Sequence, residues 1–297
     1  MNKRKIAITG ATGFLGRALV NEFSMDKSIE MYLFSTSEKK IKGTFPNVIN
    51  AFFIETDYSI ESLNRSFTNF DTVIHLAAKR PFSENSEEDF SCNSTITKNL
   101  SEVCDKMNVN FFINASSQSV YNHKKNNVPF CENEITHPVN AYGESKLACE
   151  KILEKHSTNL VNLRFGQLFG YGDEKKFFFT QMISNARAGK PIILWGNGGG
   201  GRDYLYIKDA VEIIKLAENK RISGTFNVGS GTAISFKELA ERCVAIVGNE
   251  QSSIIMDSTK IEDTSVRVMN IEKLKNAFCW RPKFSLEQAL IDMKKSF

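Results

Sequence analysis

Three glycines, spaced three residues apart, directly follow a short apolar run near the start of the chain. The segment reads Ile6-Ala7-Ile8-Thr9-Gly10-Ala11-Thr12-Gly13-Phe14-Leu15-Gly16. The apolar run has the length of a buried strand, and the residues from Leu15 to Phe23 have helical spacing. Glycine permits a tight turn and a close approach to a pyrophosphate, whose negative charge the free N–H groups at a helix start attract. In this context the turn predicts dinucleotide binding.

The first half of the chain alternates short β-rich runs with longer amphipathic stretches. The predicted strands are Lys5 to Thr9, Glu30 to Ser35, Asn50 to Ile54, Thr72 to Leu76 and Asn110 to Ala115, and the predicted helices include Leu15 to Phe23, Ser59 to Phe67 and Ser94 to Met107. This alternation is typical of βαβ units. We expect an α/β protein with a Rossmann-type doubly wound parallel sheet.

The sequence pattern changes after about Gly170, where a Phe-rich helical stretch and a glycine-dense loop, 196–201, appear. We therefore expect an NAD(P)-binding Rossmann domain at 1–170. A smaller C-terminal α/β region at 171–297 is expected to be mainly substrate-binding, to interleave with the first part and to close over a cleft at the strand ends. The cluster of Phe177, Phe178 and Phe179 fits either the core or a border of that cleft.

Composition argues against several other classes of protein. The 297 residues carry 38 basic and 34 acidic side chains, a net charge of +4 that is too small and dispersed for a nucleic-acid footprint. No apolar run approaches the roughly 18 to 20 residues that cross a bilayer. The six cysteines have neither paired nor metal-ligand spacing, so no metal site is predicted. A cytoplasmic protein with reduced cysteines is the simplest expectation.

The end of the second predicted strand bears on the choice of dinucleotide. An acidic residue is expected there to hold the ribose hydroxyls of NAD, but the segment reads Ser35-Thr36-Ser37-Glu38-Lys39-Lys40. Its hydroxyls and lysines suit the 2′-phosphate of NADP. Lys39 and Lys40 are equally compatible with a solvated loop, so the cofactor is NAD or NADP.

A second group of residues has the composition and spacing of a catalytic site. Tyr142 and Lys146 lie four residues apart at the start of a helical segment and share one face. An ammonium group and an oxidised nicotinamide both favour the phenolate, so such a tyrosine serves as an acid or base near neutral pH. Ser117 follows the strand that ends at Ala115 and presents a hydroxyl at the carboxyl edge of the sheet. Together with the glycine turn, these residues predict oxidoreductive catalysis.

These motifs resemble the extended short-chain dehydrogenase/reductase family, specifically its NAD-dependent nucleotide-sugar epimerase/dehydratase branch. The likeness spans nearly the whole chain. It rests on the glycine turn and Tyr-x-x-x-Lys, and on Asp57, His75-Leu76-Ala77-Ala78, Asn93, Ser117-Gln118-Ser119-Val120-Tyr121, Leu163-Arg164-Phe165, Gly201-Arg202-Asp203-Tyr204, Phe226-Asn227-Val228-Gly229-Ser230-Gly231 and Cys279-Trp280-Arg281-Pro282.

The resemblance implies a role for each matching position. Tyr142 is the acid/base, Lys146 its electrostatic partner and Ser117 the hydroxyl that orients the substrate oxygen. The implied cofactor contacts are Gly10, Thr12, Gly13, Phe14, Leu15, Gly16, Ser35, Asp57, Tyr58, Leu76, Ala77, Ala78, Asn93, Tyr142 and Lys146. Substrate contacts fall on Ser117, Gln118, Arg202 and Arg267. The two arginines suit a nucleotide-sugar diphosphate, with an exposed surface pair as the alternative.

The chain departs from the family pattern at informative positions. Arg164 is followed by Phe165-Gly166-Gln167, without the frequent diphosphate-binding asparagine, and Asn122 replaces a glycine after Val120-Tyr121. Ser117-Gln118-Ser119 stands where dehydratases of this branch carry Thr-Asp-Glu, which argues against a 4,6-dehydratase.

Three functions remain open at this stage. The first is a UDP-hexose 4-epimerase-like enzyme that acts by transient hydride transfer on a nucleotide-diphosphate sugar. The alternative is an NADPH-dependent reductase of nucleotide-4-keto-6-deoxysugars, and a non-catalytic dinucleotide-sensing protein is the third. The resemblance also implies a homodimer formed through helices near Asn93 to Met107 and Tyr142 to His156.

Overall fold

The computed structural model describes residues 3–79, 86–122, 128–156, 159–173 and 177–296, with the side chains of all of these except 86–90 and 156. The strands are β1 (Arg4–Thr9), β2 (Ile29–Ser35), β3 (Ala51–Glu55), β4 (Thr72–His75), β5 (Phe112–Ser117), β6 (Leu160–Phe165), β7 (Gln167–Phe169), β8 (Ile192–Trp195), β9 (Gly201–Arg202), β10 (Tyr204–Tyr206), β11 (Gly224–Val228), β12 (Ile234–Ser235), β13 (Ile254–Asp257) and β14 (Val266–Arg267).

The α-helices are α1 (Phe14–Ser24), α2 (Glu38–Thr44), α3 (Ile60–Ser66), α4 (Ser86–Lys106), α5 (Ala141–His156), α6 (Phe178–Arg187), α7 (Ile207–Lys220), α8 (Phe236–Val247), α9 (Glu272–Phe278) and α10 (Leu286–Lys294). One turn of 3-10 helix, Gln118–Val120, follows β5. In the described part of the chain, no helix is both long and apolar enough to cross a membrane.

Seven strands form one sheet in the order β11-β6-β5-β4-β1-β2-β3. β1 pairs in parallel with β2 and with β4, and β2–β3 and β4–β5 are parallel as well. The chain extends the sheet from β1 to β3 in one direction and then resumes with β4 on the other side of β1. A crevice opens at such a switch point, outside the carboxyl ends of the strands. The sheet and its flanking helices confirm the predicted α/β fold of Rossmann type.

Apolar side chains from the sheet and helices build the core of this region. Phe34, Phe67 and Phe70 are all buried, with ring centroids 5.0 to 6.1 Å apart. Tilted and edge-on pairs of this kind add to the stabilisation that burial alone provides. β2 is buried at both Leu33 and Phe34, and the cluster accounts for the burial of Phe34.

The chain divides into two compact units that do not follow a single sequence boundary. The first comprises Met1–Asn122, Ile135–Arg164 and Val211–Phe226, and the second comprises His123–Glu134, Phe165–Ala210 and Asn227–Phe297. The predicted boundary at residue 170 stays a prediction.

The second unit is built from short strand groups and the C-terminal helices. β7 pairs with β10, β8 with β13, and β9 lies between β12 and β14. The buried carboxylate of Asp203 accepts hydrogen bonds from the backbone N–H groups of Ser230, Gly231 and Met269 at 2.6 to 3.1 Å. It therefore holds together segments that are distant in sequence.

Most predicted elements lie within two residues of their observed bounds, but two differ. α4 begins at Ser86, eight residues before the predicted start at Ser94, and α2 lies where the sequence suggested only hydroxyls and a lysine-bearing loop. The Ser37 side chain accepts a hydrogen bond from Lys40 N and so caps α2.

Candidate active site and cofactor site

The glycine turn joins β1 to α1 at the switch point of the sheet. Gly10 has φ +69°, and a Cβ there would lie 2.6 Å from Ala77 N, in the segment that follows β4. A Cβ on Gly16 would collide with the carbonyl oxygens of Gly10 and Ala11. Both positions therefore require glycine, for a left-handed backbone and for close approach respectively.

The first turn of α1 is suited to an anion. Its N-cap, Gly13, provides no side-chain hydrogen bond, and the turn carries no acidic residue. The first N–H groups of a helix lack partners within the helix, and its positive dipole end favours negative charge. These residues thus fit the pyrophosphate of a dinucleotide.

Asn93 fixes the segment after β4 that carries Leu76, Ala77 and Ala78. Its Oδ1 accepts from Lys79 N at 2.8 Å, while its Nδ2 donates to Lys79 O at 3.0 Å and lies 3.4 Å from Ser145 Oγ. The amide is buried between α4 and α5. The geometry gives Asn93 a positioning role, and its direct contact with the cofactor stays a prediction.

The predicted adenine end lies at the carboxyl ends of β2 and β3. The exposed Asp57 carboxylate accepts from Ser59 N at 2.9 Å, and hydrogen bonds from Ser59 lower its pKa, so it is ionised at neutral pH. Tyr58 has φ +62° and is buried, with its hydroxyl donating to Phe34 O at 3.1 Å. Ser35 Oγ accepts from Ser37 N at 3.3 Å. Asp57 and Ser35 thus border the same sheet edge as the glycine turn.

The catalytic candidates lie on β5 and α5. Lys146 is buried, and its Nζ donates to Ala115 O at 2.7 Å and lies 6.0 Å from the centre of the Tyr142 ring. Ser117, two residues further along β5, accepts a hydrogen bond from Ser119 N at 3.2 Å. Lys146 thus connects the helix that carries Tyr142 to the strand that carries Ser117.

Gly143 lies at the candidate site, and the sequence analysis did not identify it. A Cβ at this position would lie 2.0 Å from Ser119 O and 2.9 Å from Pro138 Cβ. The first turn of α5 therefore packs directly on the backbone next to Ser117. The only signal in the sequence is a glycine inside a helix, where it is unfavourable without a packing reason.

Gln118 is 8% exposed, and its Oε1 is buried with no hydrogen-bond partner among the described residues. An unpaired buried acceptor costs about 1–3 kcal/mol. Each such group in a native structure needs an explanation, and a catalytic or binding role is one of those known. This geometry is consistent with the predicted substrate contact, which stays a prediction.

A buried ionic network lies behind the candidate catalytic residues. Glu150, one turn after Lys146 on α5, accepts from Arg164 Nε at 3.0 Å and Nη2 at 2.7 Å, and from Ser116 Oγ. Arg164 also donates to the hydroxyl of Tyr121 at 2.8 Å. The network joins β5, β6 and α5, and it was not predicted because its members are 14 to 43 residues apart.

The second unit contains a cavity of about 690 Å³ that is lined by both apolar and charged side chains. Phe178, Trp195 and Phe236 contribute aromatic surface, and Gln167 contributes an amide. Gln167 stands where the family asparagine is missing, so the lining retains a carboxamide. Of the predicted phenylalanine cluster, Phe179 is buried and Phe178 is 40% exposed.

Arg202 is the predicted substrate residue that lines this cavity. Its guanidinium lies 4.9 Å from the centre of the Phe236 ring, and Nη1 donates to Ser265 O at 2.7 Å. Arg202 and Arg267 are adjacent in the pairing of β9 with β14. Burial and the charge of Arg202 lower the pKa of Arg267 to about 10, which leaves it charged at neutral pH. The two form a cationic pair in which Arg202 is buried and the Arg267 side chain is 25% exposed. Their contact with a substrate stays a prediction.

Several curated proteins that are similar to this chain are named as nucleotide-sugar enzymes. The chain is 27% identical over 305 residues to a Bacillus subtilis (strain 168) protein named as an uncharacterized UDP-glucose epimerase, YtcB, covering 96% of this chain and 95% of that protein. It is 27% identical over 318 residues to the dTDP-4-dehydro-6-deoxyglucose reductase of Escherichia coli, covering 99% and 98%.

Among solved structures, the UDP-N-acetylglucosamine 4-epimerase of Bacillus cereus superimposes with a TM-score of 0.87 at 27% identity, covering 99% of this chain and 96% of that chain. A family model described as the NAD dependent epimerase/dehydratase family matches residues 6–229. The chain therefore belongs to the NAD dependent epimerase/dehydratase family, in agreement with the sequence resemblance and the predicted NAD or NADP cofactor.

Proposed function

We propose that the protein is an NAD(P)-dependent nucleotide-sugar epimerase, similar to UDP-hexose 4-epimerases, that acts on a ring carbon of the sugar. The observation that carries the proposal is the bond from Lys146 Nζ to Ala115 O. This bond joins the helix of Tyr142 to the strand of Ser117, so a base, a cation and a hydroxyl donor share one part of the crevice. The arrangement suits proton removal from a secondary alcohol.

Each of the three residues has a distinct task in this proposal. The Tyr142 phenol takes the proton of the substrate hydroxyl and returns it, and the ammonium of Lys146 stabilises its phenolate form. Ser117 orients the reacting oxygen by a hydrogen bond. A bound nicotinamide supplies the hydride acceptor and donor.

The arginine pair of the second unit supports a nucleotide-diphosphate sugar as the substrate class. Guanidinium groups match phosphate oxygens in charge and geometry, and the neighbouring aromatic lining suits a base. The B. subtilis and B. cereus relatives are both named as UDP-sugar epimerases.

A specific observation favours the reductase as a second candidate. The end of β2 lacks an acidic residue, and Lys39 and Lys40 are exposed and without an ion pair among the described residues. An ammonium there suits the 2′-phosphate of NADPH, the usual donor for net reduction. The E. coli relative is named as a reductase of a dTDP-4-keto sugar.

The two candidates differ in what happens to the cofactor. We would denature the purified protein, identify any released dinucleotide by mass spectrometry, and assay it with UDP-hexoses and with a dTDP-4-keto-6-deoxysugar. Retained NAD and interconversion of UDP-hexoses without added reductant are expected for the epimerase. An empty protein that consumes one NADPH per keto sugar identifies the reductase. Binding of neither dinucleotide would contradict both proposals.

Tyr142→Phe tests whether the protein is catalytic or only senses dinucleotides. Loss of general acid–base catalysis is expected to lower kcat by about 10²- to 10⁴-fold while dinucleotide affinity stays nearly unchanged. The control is Tyr171→Phe, at a tyrosine with a 58% exposed side chain. Unchanged turnover in Tyr142→Phe would exclude Tyr142 as the acid/base, and absence of turnover in the unmodified protein would favour the sensor.

A further inference from the structure

The segment between β13 and β14 places carboxylates in the wall of the cavity in the second unit. We call residues 257–265 the acidic strap, of which Asp257, Glu262 and Asp263 line the cavity. A cavity intended for a phosphorylated ligand is expected to be electropositive. Three carboxylates in its wall therefore need a structural reason.

The presence of Asp263 in the cavity wall is explained by its contacts with the arginine pair. Its Oδ2 accepts a hydrogen bond from Arg202 Nη2 and lies 3.7 Å from Arg267 Nη2. Its Oδ1 accepts from Ser265 N at 3.0 Å and from Ser265 Oγ at 2.6 Å. The carboxylate thus occupies the position between the two guanidinium groups that an anionic ligand would take.

Glu262 attaches the same strap to the glycine-dense loop. Its carboxylate accepts from Asn197 N at 3.0 Å and from Gly199 N, and these bonds lower its pKa. Asp263 is therefore held at the arginine pair by its neighbour on the strap as well as by its own charge.

The single carboxylate of Asp263 does not neutralise the positive charge of both arginines. Two positive groups face a single negative group that is itself 50% exposed, and Arg267 Nε is buried without a partner among the described residues. A diphosphate brings at least two negative charges and more acceptor oxygens. It therefore satisfies the pair better than Asp263 does, and the half-exposed Asp263 carboxylate returns to water when it is displaced.

We propose that Asp263 is an internal competitor that occupies the diphosphate subsite of Arg202 and Arg267, and that a nucleoside diphosphate binds by displacing its carboxylate. The inference rests on the proposed nucleotide-sugar substrate. It makes Asp263 a residue that lowers ligand affinity, in contrast to a residue that contributes a direct contact.

Binding of UDP and of inorganic pyrophosphate, measured by titration calorimetry at fixed ionic strength, tests the inference without any assay of turnover. Asp263→Asn and Asp263→Ser are expected to bind both probes roughly fivefold more tightly than the unmodified protein, because a competing ion pair is removed. Glu241→Gln, at an exposed position of α8, makes the same change in net charge and is expected to leave affinity unchanged. The gain is expected to vanish in an Arg202→Met background.

The outcomes separate this inference from the proposed function. If the unmodified protein binds UDP and both Asp263 variants bind it equally or more weakly, Asp263 is not a competitor and the inference fails alone. If the Asp263 variants bind UDP more tightly but bind pyrophosphate with unchanged affinity, the effect does not arise at the arginines, and the inference is overturned. If the unmodified protein binds no UDP, dTDP or GDP, the nucleotide-sugar substrate class fails, and the inference fails with it.

Discussion

Single residues set the distance between the catalytic elements, and Gly143 is the clearest case. A β-carbon on Gly143 would lie only 2.0 Å from Ser119 O, so any side chain displaces the first turn of α5 from the strand end at Ser117. We expect Gly143→Ala to lower kcat by at least about tenfold, since small misplacements of catalytic groups are costly.

The measurement is kcat together with a melting temperature, so that loss of fold is distinguished from loss of alignment. Gly43→Ala is a suitable control, because a Cβ on Gly43 in α2 meets nothing within 4 Å. Full activity in Gly143→Ala would show that the close approach is not needed for catalysis.

At the scale of elements, the pair of Glu150 and Arg164 holds α5 on the sheet. Both side chains are at least 93% buried, and their oxygen and nitrogen atoms approach to 2.7 Å. Removing one partner leaves a buried charge, so Arg164→Met is expected to lower the free energy of unfolding by about 3–5 kcal/mol.

The double variant Glu150→Leu/Arg164→Met removes both charges and is expected to recover most of that loss. Urea unfolding of the single and double variants measures the difference. Equal destabilisation by both would show that the hydrogen bonds to Ser116 and Tyr121, and not the charges, carry the stability.

His75 links three elements and predicts a pH dependence. Its Nδ1 lies 2.8 Å from Thr9 Oγ1 in β1 and its Nε2 lies 3.1 Å from Thr97 Oγ1 in α4. Burial, reinforced by the charge of Lys146, lowers the pKa of His75 to about 3. The unfolded chain therefore takes up a proton below its pKa of about 6.5 while the folded chain does not, so stability is lost as the pH falls from about 6.5 towards 3.

Between pH 7 and pH 5, His75 is expected to lower the free energy of unfolding by about 2 kcal/mol. Unfolding free energies of the unmodified protein and of His75→Asn at both pH values measure it, because the variant retains only the dependence that arises from other groups. His137→Asn changes an exposed histidine and serves as the control. An identical pH dependence in all three proteins would exclude a neutral buried His75 as the cause.

For the whole molecule, the predicted homodimer stays a prediction. The large apolar side chains that are exposed among the described residues do not lie on α4 or α5. An interface there would combine polar side chains with partly buried apolar ones such as Leu147 and Ile152. Sedimentation analysis is expected to give twice the chain mass of 33.5 kDa, and a mass of one chain would contradict the dimer.

Local sequence patterns determined the α/β class, the glycine turn, the order of the elements and the helix of Tyr142 and Lys146. These depend on hydrophobic period, on backbone freedom at Gly10 and on four-residue spacing, which act over a few positions. α2 was missed because its seven residues are stabilised by the Ser37 cap and by packing and not by a long apolar period.

Only the tertiary structure decided which distant groups meet. The close approach of Gly143 to Ser119, the pairing of Glu150 with Arg164 and the placement of Asp263 between Arg202 and Arg267 each join segments that sequence spacing does not relate. Such contacts depend on how strands are ordered in a sheet and on where burial makes an ion pair or a missing side chain favourable. Secondary-structure propensity and hydrophobic periodicity contain no information about strand order or about the burial of particular pairs. That information is present only in the folded chain.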